Sequence, residues 1–589
     1  MPVVQLPISK GLVKNPFIAD YVDFLPVNML TVPKPVLNAA GYLRSSPGLV
    51  KTGSVAGVSR GAEYNTADNR VYRVFGGKLY AAGADLGAAV AGTERVSMAH
   101  SYSSQGVSAD GVLQLWSYDD KAFKTLENWP ETVVQQEGYT KTISTEKAFY
   151  IPEEAASGNI TITLTPTAAN GTTGESLTIT EAQWGKEQSQ KDPGSGKPWV
   201  SHVLVSGEKK SGTIVTIAWR YKGQEAASID DATTVAAVLK VEQIEQQYAQ
   251  YDIGHVRDVC HNRSRYVWVK TDSDTFGITD LEDESHPDQY RPFYRAESMP
   301  DGIQGIDSWR DMVVCFGTST TEYFSLTGSS STSDPVYIAQ PSLMVNIGIA
   351  GTHCKCRFGD SFAVLSHPAT GAPSVYVIDS GSRQAIATAA VEKILSYYSA
   401  DELAAAVLEA VRFEAHELLL VHLPRHVLCY DASASQQGPA WSLLKTGLYN
   451  DPWRGVDLVW DGSAVTLGDK RQGVPGKLDF AVASQYDEAV ELLLCTPLIK
   501  ADNQLLFDFE IESAAGLAVG AEKCFISATT DGSNYGREQL IPSNSLYRYD
   551  QRVLWRQVGR CRKNIGFRIR LITKTPVALA QCQLRIGYG

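Results

Sequence analysis

Seven short runs of strand-forming residues recur along this chain: Val71–Val74, Val112–Trp116, Tyr266–Val269, Met312–Phe316, Phe362–Leu365, Glu417–Val421 and Ala464–Leu467. From Val267 through Val313, Phe362 and Leu418 to Val465 the steps are 46, 49, 56 and 47 residues, and Val71 to Val112 is 41. Most runs are followed by a turn and a second strand, as in Gly76-Gly77-Lys78-Leu79-Tyr80 or Pro373–Ile378. A period of roughly 40 to 50 residues built from short strands and tight turns specifies a β-propeller or a similar repeated-sheet array. Such a chain is a scaffold around an axis before any active site is sought.

One long stretch breaks the rhythm. Between about Thr132 and Gln246 Thr, Ser, Gly and Ala dominate, and alternating segments such as Asn159–Thr165 appear. Removing it shortens the step from Val112 to Val267 to about 40 residues, within the repeat period. This predicts an inserted small β-rich domain at 132–246. Val235, Val238, Leu239, Val241 and Ile244 fall at helical spacing, so the insert is expected to end in a helix. The core is then discontinuous, 51–131 and 247–490. Residues 1–50, with Pro16, Pro26, Pro33, Pro35 and Pro47, read as an extended arm suited to reaching a neighbouring subunit. Ser399-Ala400-Asp401-Glu402 fits a capping box, predicting a helix on to Val411. After about Val490 longer alternating strands predict a C-terminal β-sandwich at 491–589. The fold class is all-β.

Charge and cysteine usage narrow the function. With 53 basic and 65 acidic residues the net charge is −12, which argues against a general grip on nucleic acid, since such binding depends on neutralising phosphates. An acidic wall instead lets a polyanion slide past. Nine cysteines, scattered except for Cys354 and Cys356, match neither a disulfide framework nor paired zinc knuckles and read as reduced thiols. The N-terminus lacks a basic region followed by an apolar core, and no apolar run reaches the roughly 20 residues of a membrane span, so neither export nor membrane insertion is expected.

No motif carries catalysis. Gly57-Val58-Ser59-Arg60-Gly61 matches a nucleophile elbow, but no apolar helix follows it. The acidic run Asp280, Glu282, Asp283, Glu284 and Asp288 is oxygen-rich, as calcium sites are, yet lacks the EF-hand glycine and glutamate. It reads as a solvated turn or a loop presented to a neighbouring subunit. His422 and His426 straddle Pro424, which forbids a shared helical face for a zinc pair. Residues 548–574 hold nine basic side chains, Arg552, Arg556, Arg560 and Arg562 among them, against one acid, Asp550. That concentration marks a candidate partner surface, although charges alternating with apolar residues in Phe567-Arg568-Ile569-Arg570-Leu571 also suit a half-buried strand. No catalytic, cofactor-binding or metal residue is assigned, and no cofactor is expected. A propeller that binds or hydrolyses glycans at the host surface is the alternative, and hydrolysis would need paired carboxylates on rigid elements.

Several long strings point further: Leu25–Leu30, Tyr42–Ser45, Gly57–Asn65, Arg95–His100, Ile278–Asp288, Tyr323–Gly328, Gln340–Val345, Ser366–Tyr376 and Ser527–Gly532. Together and in order they resemble the packaged-DNA stabilisation proteins of short-tailed lambdoid phages, over essentially the whole chain except the insert. The resemblance implies a structural component of the virion tail, made in the host cytoplasm. It further implies a homo-hexameric hub or nozzle below the portal and its adaptor ring. Such a ring extends the channel for double-stranded DNA without sequence-specific binding and receives the tail needle, with tailspikes around it. The family members considered lack the segment 132–246, so a departure is expected there.

Overall fold

The computed structural model describes residues 2–8, 25–133, 136–143, 147–150, 159–208, 214–222, 234–242, 246–281, 283–328, 334–368, 371–435, 440–513, 523–541 and 552–588. They form two compact units, Met1–Glu127 with Asp252–Gly589, and Asn128–Tyr251.

The first unit contains seven antiparallel sheets, each led by a strand that lines a common axial cavity. Blade one comprises Ser59–Asn65, Arg70–Phe75, Lys78–Ala81 and Ala84–Ala89; blade two Ser97–His100, Ser104–Ala109, Val112–Ser117 and Ala122–Thr125. Blade three is Val256–Asn262, Arg265–Lys270, Thr275–Ile278 and Phe293–Arg295; blade four Gly305–Trp309, Met312–Phe316, Thr321–Leu326 and Tyr337–Ala339. Blade five is Lys355–Phe358, Ser361–Ser366, Ser374–Asp379 and Ser382–Ala385. Blade six has Val407–Phe413, His416–His422, Val427–Asp431, Ala440–Thr446 and the short Asp451–Pro452. Blade seven takes Gly455–Trp460, Val465–Asp469 and Gly476–Asp479 from the end of the propeller and its outer strand, Gly48–Lys51, from the beginning of the chain.

The seven runs seen in the sequence fall one per blade. Six are the second strand, and Val112–Trp116 is the third strand of blade two. Their continuous apolar character has a packing cause, because a second strand is covered on both faces by the flanking blades. In blade three Tyr266 and Trp268 pack with Leu113 and Leu115 of blade two, whereas Val267 and Val269 pack with Val313 and Cys315 of blade four. Blade six divides the same way, Leu419 and Val421 into one core and Leu418 and Leu420 into the next. Period-two side-chain alternation thus fills two cores from one strand.

The C-terminal sandwich is built from both ends of the chain. One sheet runs Met29–Val32, Tyr42–Ser45, Ala578–Tyr588, Gln504–Ser513, Val553–Cys561, and Val3–Pro7 also pairs with Ala578–Tyr588. The other runs Val490–Cys495, Asn564–Thr573, Lys523–Thr529, Gln539–Ile541, with Ile499–Lys500 on Asn564–Thr573. Leu6, Met29 and Leu43 are buried in the same core as Phe509, Phe567 and Leu584. The first 50 residues, where described, are therefore paired within their own chain rather than held out as an arm. The edge left by Ala578–Tyr588 and the open seventh blade capture them. Pro16 lies outside the described residues.

Two helix expectations fail for tertiary reasons. Thr234–Glu242 is a strand between Gln136–Ile143 and Asn159–Thr167, with Val235 and Ala237 buried on one face. It belongs to the second unit, in which a four-stranded and a three-stranded sheet enclose a core of Ile160, Ile162, Val203, Val215 and Trp219. Val235, Val238, Leu239 and Val241, which suggested a helix face, have strand partners on both sides, and pairing overrides propensity; Ile244 lies outside the described residues. The Ser399 capping box is formed, with Ser399 Oγ accepting from Glu402 N at 3.2 Å and Ser399 N donating to Glu402 Oε2 at 2.9 Å. The helix nevertheless spans only Ala400–Ala404, because Val407–Phe413 becomes the axial strand of blade six.

Candidate functional site: the propeller axis and two exposed surfaces

The axial strands are of mixed polarity, and their side chains meet in a cavity of about 690 Å³ that all seven blades line. The carboxylates there are engaged across blade boundaries. Asp258 of blade three accepts from the Ile306 amide of blade four at 2.8 Å and from Lys355 of blade five at 3.0 Å. Asp307 of blade four accepts from Arg357 of blade five at 2.9 Å. Glu63 of blade one meets His100 of blade two at 2.8 Å and Gln105 at 2.7 Å. Glu409 of blade six accepts from the amides of Asp457 and Leu458 in blade seven at 2.7 and 3.2 Å. Charge-assisted bonds of this kind are stronger than neutral ones and lose more when one partner is removed. Each spans two blades, so together they hold the angular spacing of the ring.

Closure between blades seven, one and two rests on Asp457. Its Oδ2 accepts from Ser59 Oγ at 2.5 Å, its Oδ1 from Arg95, and its carbonyl from Arg73 Nη1 at 2.8 Å. To reach all three its backbone takes φ +58°, in a bulge between Val456 and Val459. A left-handed non-glycine residue inside a strand costs about 1–3 kcal/mol and persists where surrounding contacts determine it. Ser59, the candidate elbow serine, thus opens an axial strand and donates to a carboxylate. Neighbouring Arg60 donates to the carbonyls of Gly76, Val90, Ala91 and Glu94, tying down the link from blade one to blade two.

A second, partly buried group adjoins this closure. Lys470 Nζ lies 2.7 Å from His422 Nδ1, and His422 Nε2 is 3.5 Å from Glu409. Burial lowers the Lys470 ammonium from its ordinary 10.5 to about 7, with Glu409 opposing the drop and Arg95 adding to it. A base whose folded pKa lies below its unfolded one carries a penalty that is complete below the folded value and fades as pH rises to the unfolded one. Its cost is therefore full below about pH 7 and disappears toward pH 10.5. Lys470→Met is expected to stabilise the chain at pH 6–7 by ~1–3 kcal/mol after allowance for solvent at this partly buried amine. Thermal melts at pH 6.5 and 10 check this, with the variant's advantage shrinking at the higher pH.

The structure disperses the acidic run. Asp280 is buried, and its Oδ2 accepts from the Gln289 amide at 3.2 Å. Asp288 is buried in an ion pair with Arg265 at 2.8 Å. Glu284 Oε2 accepts from Ser101, Ser103 and Ser104 hydroxyls at 2.8, 2.7 and 2.9 Å, clamping the loop to the first turn of blade two. Asp283 caps its own turn by accepting from the Ser285 amide and hydroxyl at 2.9 and 2.6 Å, and keeps 42% of its side chain exposed. Burial raises its pKa, but those bonds and His286 outweigh that and leave it below the ordinary carboxylate value. Glu282 lies outside the described residues.

The basic stretch also divides. Arg570 and Arg568 pair with Glu538 at 2.6 and 3.3 Å, and Arg552 binds Glu510 through Nε at 2.5 Å and through Nη2. The side chains of Arg556, Arg560 and Arg562 are exposed, with no hydrogen-bond or ion-pair partner among the described residues. Arg556 and Arg560 stand on Val553–Cys561, the edge strand of its sheet. Trp555 packs inward on Phe567 and Cys561 is buried, so both arginines face solvent. Arg548 lies outside the described residues. Sequence reasoning missed Arg95, Lys355, Glu409 and Asp457, isolated charges in segments of mixed polarity without a recurrent spacing.

Two family models match in succession: "Bacteriophage P22 Gp10, beta-propeller" over residues 4–163 and 206–483, and "Bacteriophage P22 Gp10, beta-sandwich" over 491–587. The tail hub protein gp10 of Salmonella phage P22 is 47% identical over 586 residues, covering 100% of both chains. The segment 132–246 is therefore shared with this relative, and the expected departure there is overturned. Among solved structures, Kluyveromyces lactis Hsv2 is 8% identical over 66% of this chain and 98% of its own, with a TM-score of 0.24. The extracellular domain of a hybrid two-component system of B. thetaiotaomicron is 8% identical over 92% and 89%, also with a TM-score of 0.24. Likeness at that level carries no argument. The two successive domain matches and the end-to-end identity do, and the chain belongs to the bacteriophage P22 Gp10 family of tail hub proteins.

Proposed function

We propose that this chain is a structural subunit of a short-tailed phage tail, a hub that assembles as a six-membered ring beneath the portal and its adaptor. The ring lengthens the DNA channel, helps retain packaged DNA, receives the tail needle and lies within reach of the tailspikes. The observation that carries this reading is the 47% identity to the P22 tail hub protein over the full length of both chains. The molecule suits the role physically. Seven blades stapled by cross-blade ion pairs make a stiff block, and the charge of −12 limits trapping of a phosphate backbone in transit. The axial cavity of about 690 Å³ is crossed by those ion pairs, so the conduit for DNA is the bore between subunits rather than the axis within one. The role requires no catalysis.

Negative-stain imaging of the chain with the portal and adaptor assembly of the same phage tests it. A six-fold ring extending the tube is the expected result. A chain that does not associate under conditions where the adaptor is complete overturns the reading.

A further inference from the structure

Two of the exposed surfaces of the first unit have complementary chemistry. One is the sandwich edge strand with Arg556, Arg560 and Arg562. The other lies where the turn of blade two meets the acidic loop of blade three. Glu284 holds these two segments together; the turn carries Tyr102, 91% exposed, and the loop carries Leu281 and Tyr290, 59% and 60% exposed, together with Asp283. The acids that looked like the contact in the sequence mostly build the platform, and the exposed apolar residues are what that platform displays. Tyrosine faces in a preorganised loop are typical of residues that dominate binding energy, and guanidinium groups stack on them.

Resting on the ring reading above, we propose that copies of this chain join head to tail through these surfaces. The arginine edge of one sandwich docks on the Tyr102–Leu281–Tyr290 face of the next copy, with Asp283 at its rim. The two patches differ, so the contact is heterologous, the kind that generates rings when the rotation closes. Backbone pairing along the edge is blocked by a bulge with Gln557 at φ +57° and Gly559 at φ +121°, since bulges and charges on an edge discourage strand addition. Side chains must therefore make the contact. The favoured occupant is a second copy rather than nucleic acid, because the rest of the chain is acidic and a second copy brings the matching aromatic and carboxylate groups at fixed stoichiometry.

The test is ring formation by full-length chain on the portal and adaptor assembly. Arg556→Glu with Arg560→Glu, and Tyr102→Ala, should each lower ring yield at least tenfold while leaving the melting temperature of the free chain unchanged; Asp283→Arg should lower ring yield as much, with some loss of melting temperature from the missing turn cap. Combining Arg556→Glu, Arg560→Glu and Asp283→Arg should recover much of the loss. Rings formed at wild-type yield by the arginine and tyrosine variants overturn the proposal and leave the hub reading standing. Duplex DNA bound by wild type but not by the arginine variant likewise replaces the second copy as occupant. Failure of the wild-type chain to associate at all removes both readings.

Discussion

Leu49→Ala opens the seventh blade. Leu49 is buried among Leu418, Val465, Leu467 and Leu478 in the strand that completes that blade, and its amide donates to the Ser484 carbonyl at 2.9 Å. Truncating a buried leucine costs about 2–5 kcal/mol. Only four residue pairs, Gly48 with Asp479 to Lys51 with Gly476, hold this strand to its neighbour, so the loss falls on local opening. Cys429, buried in the same core, reports it. Its labelling by a thiol reagent should accelerate roughly 30- to 4,000-fold under native conditions if opening precedes labelling. Labelling of Cys524 and Cys582 in the sandwich should change far less. Equal acceleration at all three would mean that propeller and sandwich unfold as one body.

The second large effect is at Asp457, where a series separates charge from backbone strain. Asp457→Asn keeps a residue that tolerates positive φ and loses the charge facing Arg95. Asp457→Ala also strands the Ser59 hydroxyl, and Asp457→Val adds a β-branched side chain at φ +58°. Removing one member of a buried ion pair costs about 3–5 kcal/mol, somewhat less where Arg95 keeps access to water. The expected order of stability is wild type, Asn, Ala, Val, with about 1–2 kcal/mol between Asn and Ala and a further 1 kcal/mol or more to Val. Denaturant melts followed by hydrogen exchange in blades one, two and seven check it. An asparagine variant as unstable as valine would show that charge alone holds the closure.

The blades were legible because their second strands are buried on both faces. Val267-Trp268-Val269 and Leu418-Leu419-Leu420-Val421 serve two cores each and leave no room for a polar residue. The axial strands were not legible. Glu63, Asp258 and Glu409 sit in segments of mixed polarity whose partners lie in the next blade, a relation that no local spacing encodes. The outer strand of blade seven escaped for a related reason, since Gly48–Lys51 pairs with residues more than four hundred positions away. The basic stretch illustrates the limit at a candidate site. Composition found the cluster, but only cross-strand geometry separates Arg568 and Arg570, spent on Glu538, from Arg556 and Arg560, which are not.

The shared closure has a consequence for how the molecule is made. Ribosomes deliver Gly48–Lys51 before any blade exists and Gly476–Asp479 after six are complete, and Val3–Pro7 waits longer still for Ala578–Tyr588. During synthesis the early strands have exposed edges and no partner, a state prone to mispairing when copies are crowded on one messenger. Synthesis of Ala578–Tyr588, rather than the folding of any one blade, therefore sets the moment at which both early strands have their partners.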